Sequence, residues 1–333
     1  FPSNAGEILE CGNAVTEVSP WDKVACIGQG FASHAEIVSI PANLMTRIPK
    51  NVSAEQASFG MLGVIALHGI RCGNLTFGGR VVIMGLGLLG LLTLQMLRAY
   101  GCEVIGFDPD SEKVRLAKKL GFENVVNQVG ELSALVETLT RSSGVDAVLI
   151  TAATKKRDPV DQAIQLCRSR GKIVVVGVAD IHPDRNELWQ KEVELVVSRA
   201  AGPGSLDPLY EIEGVDLPIG DVRWTQKRNL EEFLRLQQNG IIDVSPLISH
   251  RFSIESAEEA YHQLLSGTLK NPIGVLLEYS QPQNILRQIR IPESSPKPRM
   301  QKDSIRTGVI GAGLFGKALL LPAIQKEKGL DFD

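Results

Sequence analysis

Paired cysteines are missing from this sequence. Its 333 residues contain five cysteines, and none of them forms a CxxC pair: Cys11, Cys26, Cys72, Cys102 and Cys167. An odd, scattered set is not typical of a disulfide scaffold or a zinc module, so we expect a reducing compartment, the cytoplasm. Residue 1 is Phe, and no charged segment followed by an apolar one comes after it, so no leader pattern is seen in the sequence given. We therefore expect no targeting segment and interpret the chain as a piece of a longer protein.

The sequence also has little net charge and few long apolar runs. The net charge of −3 gives no overall basic field that would attract nucleic acid. Residues 287–306 hold six basic and two acidic residues, which is more typical of a solvated linker than of a nucleic-acid site. The apolar run 81–97 is at the short limit for a membrane span, and its three glycines favour a strand, a turn and a helix. We predict neither a nucleic-acid nor a membrane partner.

A regular alternation of strand and helix patterns begins at residue 80. Strands are predicted at 80–84, 103–107, 124–127, 146–151, 172–177 and 194–199, and helices at 87–100, 111–120, 131–142, 158–169 and 185–191. Unbroken apolar strands between amphipathic helices indicate a parallel sheet covered on both faces, the doubly wound Rossmann fold. Residues 1–52 are β-rich, with strands predicted at 22–27 and 33–40. A capping box at 53–56 predicts a helix that continues to residue 72.

A phosphate-binding fingerprint lies between the first strand and helix of this alternation. It reads Gly85-x-Gly87-x-x-Gly90, with Leu88 and Leu89 in its variable positions. The first glycine permits the tight turn, the second lets the backbone approach a diphosphate, and the third allows close packing of helix on strand. The amides of the helix's first turn then face the anion. The alternative is a glycine-rich turn of another α/β fold.

Asp108 ends the second strand, 18 residues after Gly90, near the spacing of about 20 expected for a ribose-binding carboxylate. It would repel a 2′-phosphate, so it favours NAD over NADP. Lys113 and Arg115 lie one helical turn further on and soften that preference, so NADP is the second choice. Asp108 also fits the beginning of a helix, a role compatible with ribose binding.

Residues 1–279 resemble the medium-chain dehydrogenase/reductase family. The resemblance rests on the fingerprint and on "NAGEILECGNAVTEVSPWDKVA", "FDPDSEKVRLAKKLG", "DAVLITAAT" and "RGKIVVVGV". It implies a GroES-like catalytic domain around the cofactor domain. It also implies that Lys113 joins Asp108 at the ribose, and that two strand ends face the cofactor, Thr151-Ala152 and Gly177-Val178.

The zinc chemistry of that family does not carry over to this sequence. Pro2-Ser3 stands where family members have His-Glu, and Gly60-Met61 stands near the third ligand. None of these is a credible zinc ligand, so we expect no zinc site. The acid/base candidates left are His68, Tyr210 and His250, and no position in the sequence favours any of them as catalytic.

A second fingerprint, Gly311-x-Gly313-x-x-Gly316, follows a strand pattern near the end of the sequence. With "LLPAIQK" it resembles the start of the glucose–fructose oxidoreductase and inositol dehydrogenase family, which would give these glycines a cofactor role. The alternative is an amphipathic strand and helix with incidental glycines. Both halves together resemble bi-domain oxidoreductases, although Ser205-Leu206 replaces an expected Arg-Tyr.

The expected organisation has five parts: a partial GroES-like domain (1–77), an NAD(P)-binding Rossmann domain (78–249), a return to the first domain (250–279), a linker (280–304) and the first β-α unit of a second Rossmann domain (305–333). We expect an NAD(P)-dependent oxidoreductase that acts without zinc on a sugar-like or polyol-like CH–OH or carbonyl group, and that forms a homo-oligomer. The rival interpretation is a dinucleotide-binding sensor or scaffold without turnover.

Overall fold

The computed structural model describes residues 3–154, 157–280, 305–307, 313, 320–324 and 330–332. The chain divides into two compact units, 1–280 and 281–333. The strands of the first unit are β1 (Ser3–Glu7), β2 (Lys23–Ile27), β3 (Met45–Arg47), β4 (Arg80–Met84), β5 (Glu103–Phe107), β6 (Val125–Val126), β7 (Val145–Ile150), β8 (Cys167–Val175), β9 (Glu194–Val197), β10 (Ile248–Ser253) and β11 (Gly274–Glu278). Its helices are α1 (Ala54–Ala57), α2 (Gly60–Cys72), α3 (Leu88–Ala99), α4 (Ser111–Lys119), α5 (Val129–Thr140), α6 (Asp158–Leu166), α7 (Arg185–Lys191), α8 (Pro208–Glu211), α9 (Gln226–Gln238) and α10 (Ala257–Ser266).

The central sheet has six parallel strands in the order β6-β5-β4-β7-β8-β9. This is the strand order of the doubly wound dinucleotide fold, and the order reverses between β4 and β7. Apolar clusters cover both faces, one built around α2 and α3 and the other around α5 and α6. The predicted parallel sheet is therefore confirmed, and the crevice between β4 and β7 is where such folds bind ligands.

Two smaller sheets accompany the central one. β1, β2 and β3 form an antiparallel sheet, and β10 pairs with β11 in parallel. Of the helices in the described part of the chain, none is long and apolar enough to span a membrane.

Two predictions for the first 72 residues are wrong in part. The capping box at Ser53 is present, but the helix ends after Ala57, where the Ser58 hydroxyl donates to the Glu55 carbonyl at 2.7 Å, and α2 begins separately. No strand forms at 33–40. Ile37 is exposed there while Ile40 packs against the core, so the apolar residues of the run do not share one buried face.

The long Gly/Pro/Asp-rich segment 199–225 is fixed to its surroundings. It contains α8, whose Tyr210 is fully buried and whose Tyr210 carbonyl accepts a hydrogen bond from Asn43 at 2.9 Å. Helix α9 follows, capped by Thr225, and packs its apolar stripe against α2. The packing is close, since a Cβ on Gly63 would lie 2.3 Å from the Phe233 ring.

The second unit contains a parallel strand pair, β12 (Ile305–Thr307) with β13 (Leu330–Phe332), and the short helix α11 (Leu321–Ile324) between them. Whether residues 305–333 begin a second Rossmann domain stays a prediction. Gly313 is exposed, while the predictions for Gly311 and Gly316 fall outside the described residues.

Candidate functional site

The fingerprint forms a tight turn between β4 and α3. Gly85 has φ +105°, and a Cβ there would lie 2.6 Å from the amide nitrogen of Ala152. The Thr151 hydroxyl donates to the Gly85 carbonyl at 2.7 Å, and the Ala152 amide donates to the Met84 carbonyl at 3.0 Å. The end of β7 therefore holds the turn in place.

Gly87 and Gly90 differ in what surrounds them. A Cβ on Gly87 would meet nothing within 4 Å, whereas a Cβ on Gly90 would lie 1.8 Å from the Gly85 carbonyl oxygen. Gly87 is the N-cap of α3 and offers no side chain to the first amides of the helix, those of Leu88 and Leu89. Open space, unpartnered amides and the positive end of the helix dipole suit a diphosphate here.

Asp108 lies at the end of β5 and is only 5% exposed. Its carboxylate accepts hydrogen bonds from the Leu86 amide at 2.8 Å and from the Asp110 amide at 2.9 Å. Lys113 from α4 approaches it to 3.5 Å, so the predicted pair is brought together. The N-cap of α4 is Asp110, not Asp108. One carboxylate thus connects the fingerprint turn to the expected ribose position.

The remaining predicted contacts lie at the ends of two neighbouring strands. The Gly177 amide donates to the Ile150 carbonyl at 2.9 Å, and Val178 forms a β-bridge with Ala153. Val178 is 69% exposed, although it is apolar. The structure thus gathers Thr151, Ala152, Gly177 and Val178 at the carboxyl edge of the sheet and leaves an apolar side chain open to a ligand.

A cavity of about 630 Å³ lies against α4, and its lining includes Lys113 but not Asp108 or the glycines of the fingerprint. One wall is α4, with Lys113, Arg115 and Lys119, and the opposite wall includes Pro246 and Asn271. Its volume is in the usual range for small-molecule pockets. Sequence reasoning missed the second wall, because nothing in a single sequence connects residues 246–273 to α4.

The residues at the family's zinc position do not fit a metal ion. The Ser3 hydroxyl accepts a hydrogen bond from the Met61 amide at 3.0 Å at the beginning of α2. Zinc takes thiolate, imidazole and carboxylate ligands, and neither Ser3, Gly60 nor Met61 supplies one. Among the described residues, no three His, Cys, Asp or Glu side chains gather as a metal site would require.

The three acid/base candidates have different surroundings. Tyr210 is fully buried, and its hydroxyl accepts a hydrogen bond from the Lys227 amide at 3.4 Å, so a substrate cannot reach it. His250 is half-buried on β10, with Nδ1 2.9 Å from the Ser249 hydroxyl. His68 is half-buried on α2, and burial is the main reason why its pKa is lowered. None of them is assigned a catalytic role.

Comparison with known proteins gives one family match and several relatives. Residues 89–211 match the family described as Zinc-binding dehydrogenase. D-guloside 3-dehydrogenase of Escherichia coli (strain K12) is 27% identical over 265 residues, which cover 78% of this chain and 71% of that protein. L-idonate 5-dehydrogenase of Vitis vinifera is 30% identical over 244 residues, 71% of this chain and 60% of that protein.

Solved structures share the fold. Galactitol-1-phosphate dehydrogenase of Escherichia coli superposes with a TM-score of 0.67 at 22% identity, with 82% of both chains covered. A short chain alcohol dehydrogenase of E. coli CFT073, complexed with NADH, gives a TM-score of 0.61 at 18% identity, covering 82% of this chain and 81% of that one. The chain is thus similar to the zinc-type medium-chain dehydrogenases, and the named dehydrogenase relatives identify it as a nicotinamide-dependent dehydrogenase.

Proposed function

We propose that this chain transfers a hydride between NAD and a carbon that bears a hydroxyl or carbonyl group on a sugar-like or polyol-like substrate, without zinc. The observation that carries the proposal is the open space at Gly87, beside a buried carboxylate at Asp108. When bound, the dinucleotide supplies the hydride. The chain's own part is to bind the diphosphate with the first amides of α3 and to orient the ribose with Asp108.

The adenosine end of the dinucleotide would lie near Asp108 and Lys113, at the beginning of α4. Lys113, which pairs with Asp108, lines this cavity together with other residues of α4. The nicotinamide end would then extend toward Val178, whose exposed side chain offers an apolar surface for a flat ring. Thr151, Ala152, Gly177 and Val178, at the ends of β7 and β8, would then hold the nicotinamide end.

Asp108 is expected to set the preference for NAD over NADP. A carboxylate 4 Å from a 2′-phosphate charge costs about 4 kcal/mol at an effective dielectric of 20, and Lys113 reduces that cost. We expect Asp108→Asn to lower the NADH/NADPH affinity ratio by at least about tenfold, because an amide keeps an acceptor for the Leu86 amide but removes the charge. Titration of nucleotide fluorescence measures both affinities. Asp221→Asn, at an exposed loop position, is the control, and an unchanged ratio in Asp108→Asn would contradict the assigned role.

Activity is expected to be independent of zinc. The support is the hydrogen bond between Ser3 and Met61 at the position where the family holds its metal. Metal analysis of the active protein should find far less than one zinc per chain, and 1,10-phenanthroline should leave turnover unchanged. Stoichiometric zinc together with loss of turnover on chelation would overturn this part of the proposal.

Turnover separates the proposal from its rival, a sensor or scaffold that binds dinucleotide only. The rival is favoured by the same missing ligands, because no group described here replaces the metal as an electrophile. A panel of sugars and polyols with NAD, and of the matching carbonyl compounds with NADH, should show turnover by the full chain. Tight NADH binding without turnover on any of them would favour the sensor. Formation of a homo-oligomer stays a prediction.

A further inference from the structure

The chain between β8 and α7, residues 178–184, carries a histidine and a carboxylate that bind each other. We term this stretch the β8–α7 segment. Nδ1 of His182 lies 2.5 Å from a carboxylate oxygen of Asp180, and within the described part of the chain its Nε2 has no partner. A carboxylate at Nδ1 favours the tautomer with the hydrogen on that nitrogen, so the lone pair of Nε2 is free to accept a proton. The pair has the arrangement of a general base and its orienting carboxylate.

Both ends of the β8–α7 segment are fixed. At its beginning the Val178 amide donates to the Ala152 carbonyl at 3.0 Å, beside the fingerprint turn. At its end Asp184 is the N-cap of α7, and its carboxylate accepts from two amides of that helix at 2.6 and 3.3 Å. His182 also precedes Pro183, which disfavours a helical backbone at the histidine. The histidine therefore lies on a defined stretch of chain that starts at the carboxyl edge of the central sheet.

The His182 pair lies on the side of the segment that bears Val178. Ala179 and Ile181 pack against the apolar cluster around α5 and α6. Val178, Asp180 and His182 alternate with them and therefore lie on the opposite side. Val178 is 69% exposed and the imidazole of His182 is 77% exposed, in agreement with this placement. Two residues of extended chain span about 7 Å, so Asp180 is one such step from the apolar side chain proposed to face the nicotinamide.

The other histidines lack this combination of features. All five histidines of the sequence lie in the described part of the chain, and His182 is the one that pairs with a carboxylate there. Nε2 of His68 lies 3.5 Å from the sulfur of Cys72, and Nδ1 of His250 contacts a hydroxyl. An accessible imidazole that is oriented by a carboxylate is thus found at the end of β8 alone.

We infer that His182 is the catalytic acid and base of the hydride transfer, with Asp180 as its positioning residue; this rests on the proposed function. When an alcohol is oxidised, the C–H bond breaks and its electron pair passes to NAD with the hydride. The O–H bond breaks as the C=O bond forms, and the hydroxyl proton passes to Nε2 of His182. The imidazolium then releases that proton to solvent. In reduction it gives a proton to the carbonyl oxygen, so the step balances without a metal ion.

Kinetics of the full chain, on a substrate found with the sugar and polyol panel, test the inference. His182→Ala and His182→Gln should each lower kcat at least about 100-fold, the usual contribution of a general acid or base, with NADH affinity unchanged. Added imidazole should restore part of the turnover of His182→Ala. Asp180→Asn should lower kcat at least about tenfold with little change in KM, because an amide does not hold the same tautomer. His262→Ala, at an exposed position of α10, should turn over as the parent does.

A modification experiment gives a readout that is independent of turnover. Diethyl pyrocarbonate modifies exposed imidazoles, and peptide mass mapping reports His182 and His262 separately. NADH and the alcohol substrate together fill the site without reacting. We expect this pair to slow the modification of His182 severalfold and to leave that of His262 unchanged, because a bound substrate covers Nε2 of His182 only.

Two results would overturn the inference while the proposed function stands. One is a kcat of His182→Ala within about threefold of the parent and of His262→Ala, since a general base contributes far more. The other is equal modification of His182 with and without the bound pair. If the parent binds NADH but turns over none of the panel, hydride transfer itself fails, and the role of His182 fails with it.

Discussion

Replacing Gly87 by aspartate is expected to abolish dinucleotide binding and leave the chain as stable as before. The backbone at Gly87 has φ −69° and ψ −172°, which any residue adopts, and a Cβ there meets nothing within 4 Å. Aspartate is also a favoured N-cap, so its carboxylate would accept from the free amides of α3. The diphosphate would then lose these donors and face a like charge. We expect NADH affinity to fall at least about 100-fold, or about 2.7 kcal/mol.

Fluorescence titration with NADH and a thermal melt measure the two effects separately. Gly87→Asn is the matched neutral variant, and it should lose less affinity because it caps the helix without adding charge. Gly220→Asp introduces the same residue into open space in a distant loop and should leave both properties unchanged. If Gly87→Asp binds NADH with the parental affinity, the diphosphate does not bind at this turn. The proposed function would then lose its main support.

The opposite behaviour is expected three residues later, where Gly90→Ala should damage the fold itself. The new methyl would lie 1.8 Å from the Gly85 carbonyl oxygen, a backbone atom that cannot rotate away. Helix α3 would have to move off β4. We expect a loss of about 3 kcal/mol in the free energy of unfolding and a fall of about 10 °C in Tm.

Gly130→Ala provides the matched control for this second substitution. Gly130 also lies in the first turn of a helix, α5, but a Cβ there meets nothing within 4 Å. Alanine favours a helix over glycine by up to about 1 kcal/mol, so this variant should melt at the same temperature or higher. Circular dichroism on both variants gives the comparison. If Gly90→Ala melts with the parent, the close contact between turn and helix described above is wrong.

Local patterns were enough to predict the central sheet. Its strands are short apolar runs whose neighbours along the chain are also neighbours or near neighbours in space, and each helix between them begins and ends within a few residues of the prediction. The three glycines of the first fingerprint also have the three environments that their chemistry requires. These features depend on residues that are close together in the chain, so they can be predicted from a single sequence.

Contacts between distant segments could not be predicted. Arg71 and Arg223 stack on one tryptophan, yet they are separated by more than a hundred residues, and neither belongs to a recognisable motif. The predicted strand at 33–40 is wrong for a related reason. Its alternation is typical of a strand, but a strand needs a partner and a buried face, and both depend on segments elsewhere in the chain.

The hydrogen bond from the Leu86 amide to Asp108 has a consequence for anyone who wishes to redesign this protein's nucleotide choice. The Asp108 carboxylate also holds the glycine turn through this hydrogen bond. Replacing Asp108 by a shorter side chain would therefore disturb the diphosphate-binding turn as well as ribose binding. A more promising route keeps that oxygen in place and changes the surrounding charges on α4, at Glu112 and Arg115, which now neutralise each other. Replacing Glu112 would release the Arg115 guanidinium from its ion pair, while Asp108 keeps its hydrogen bond to the Leu86 amide.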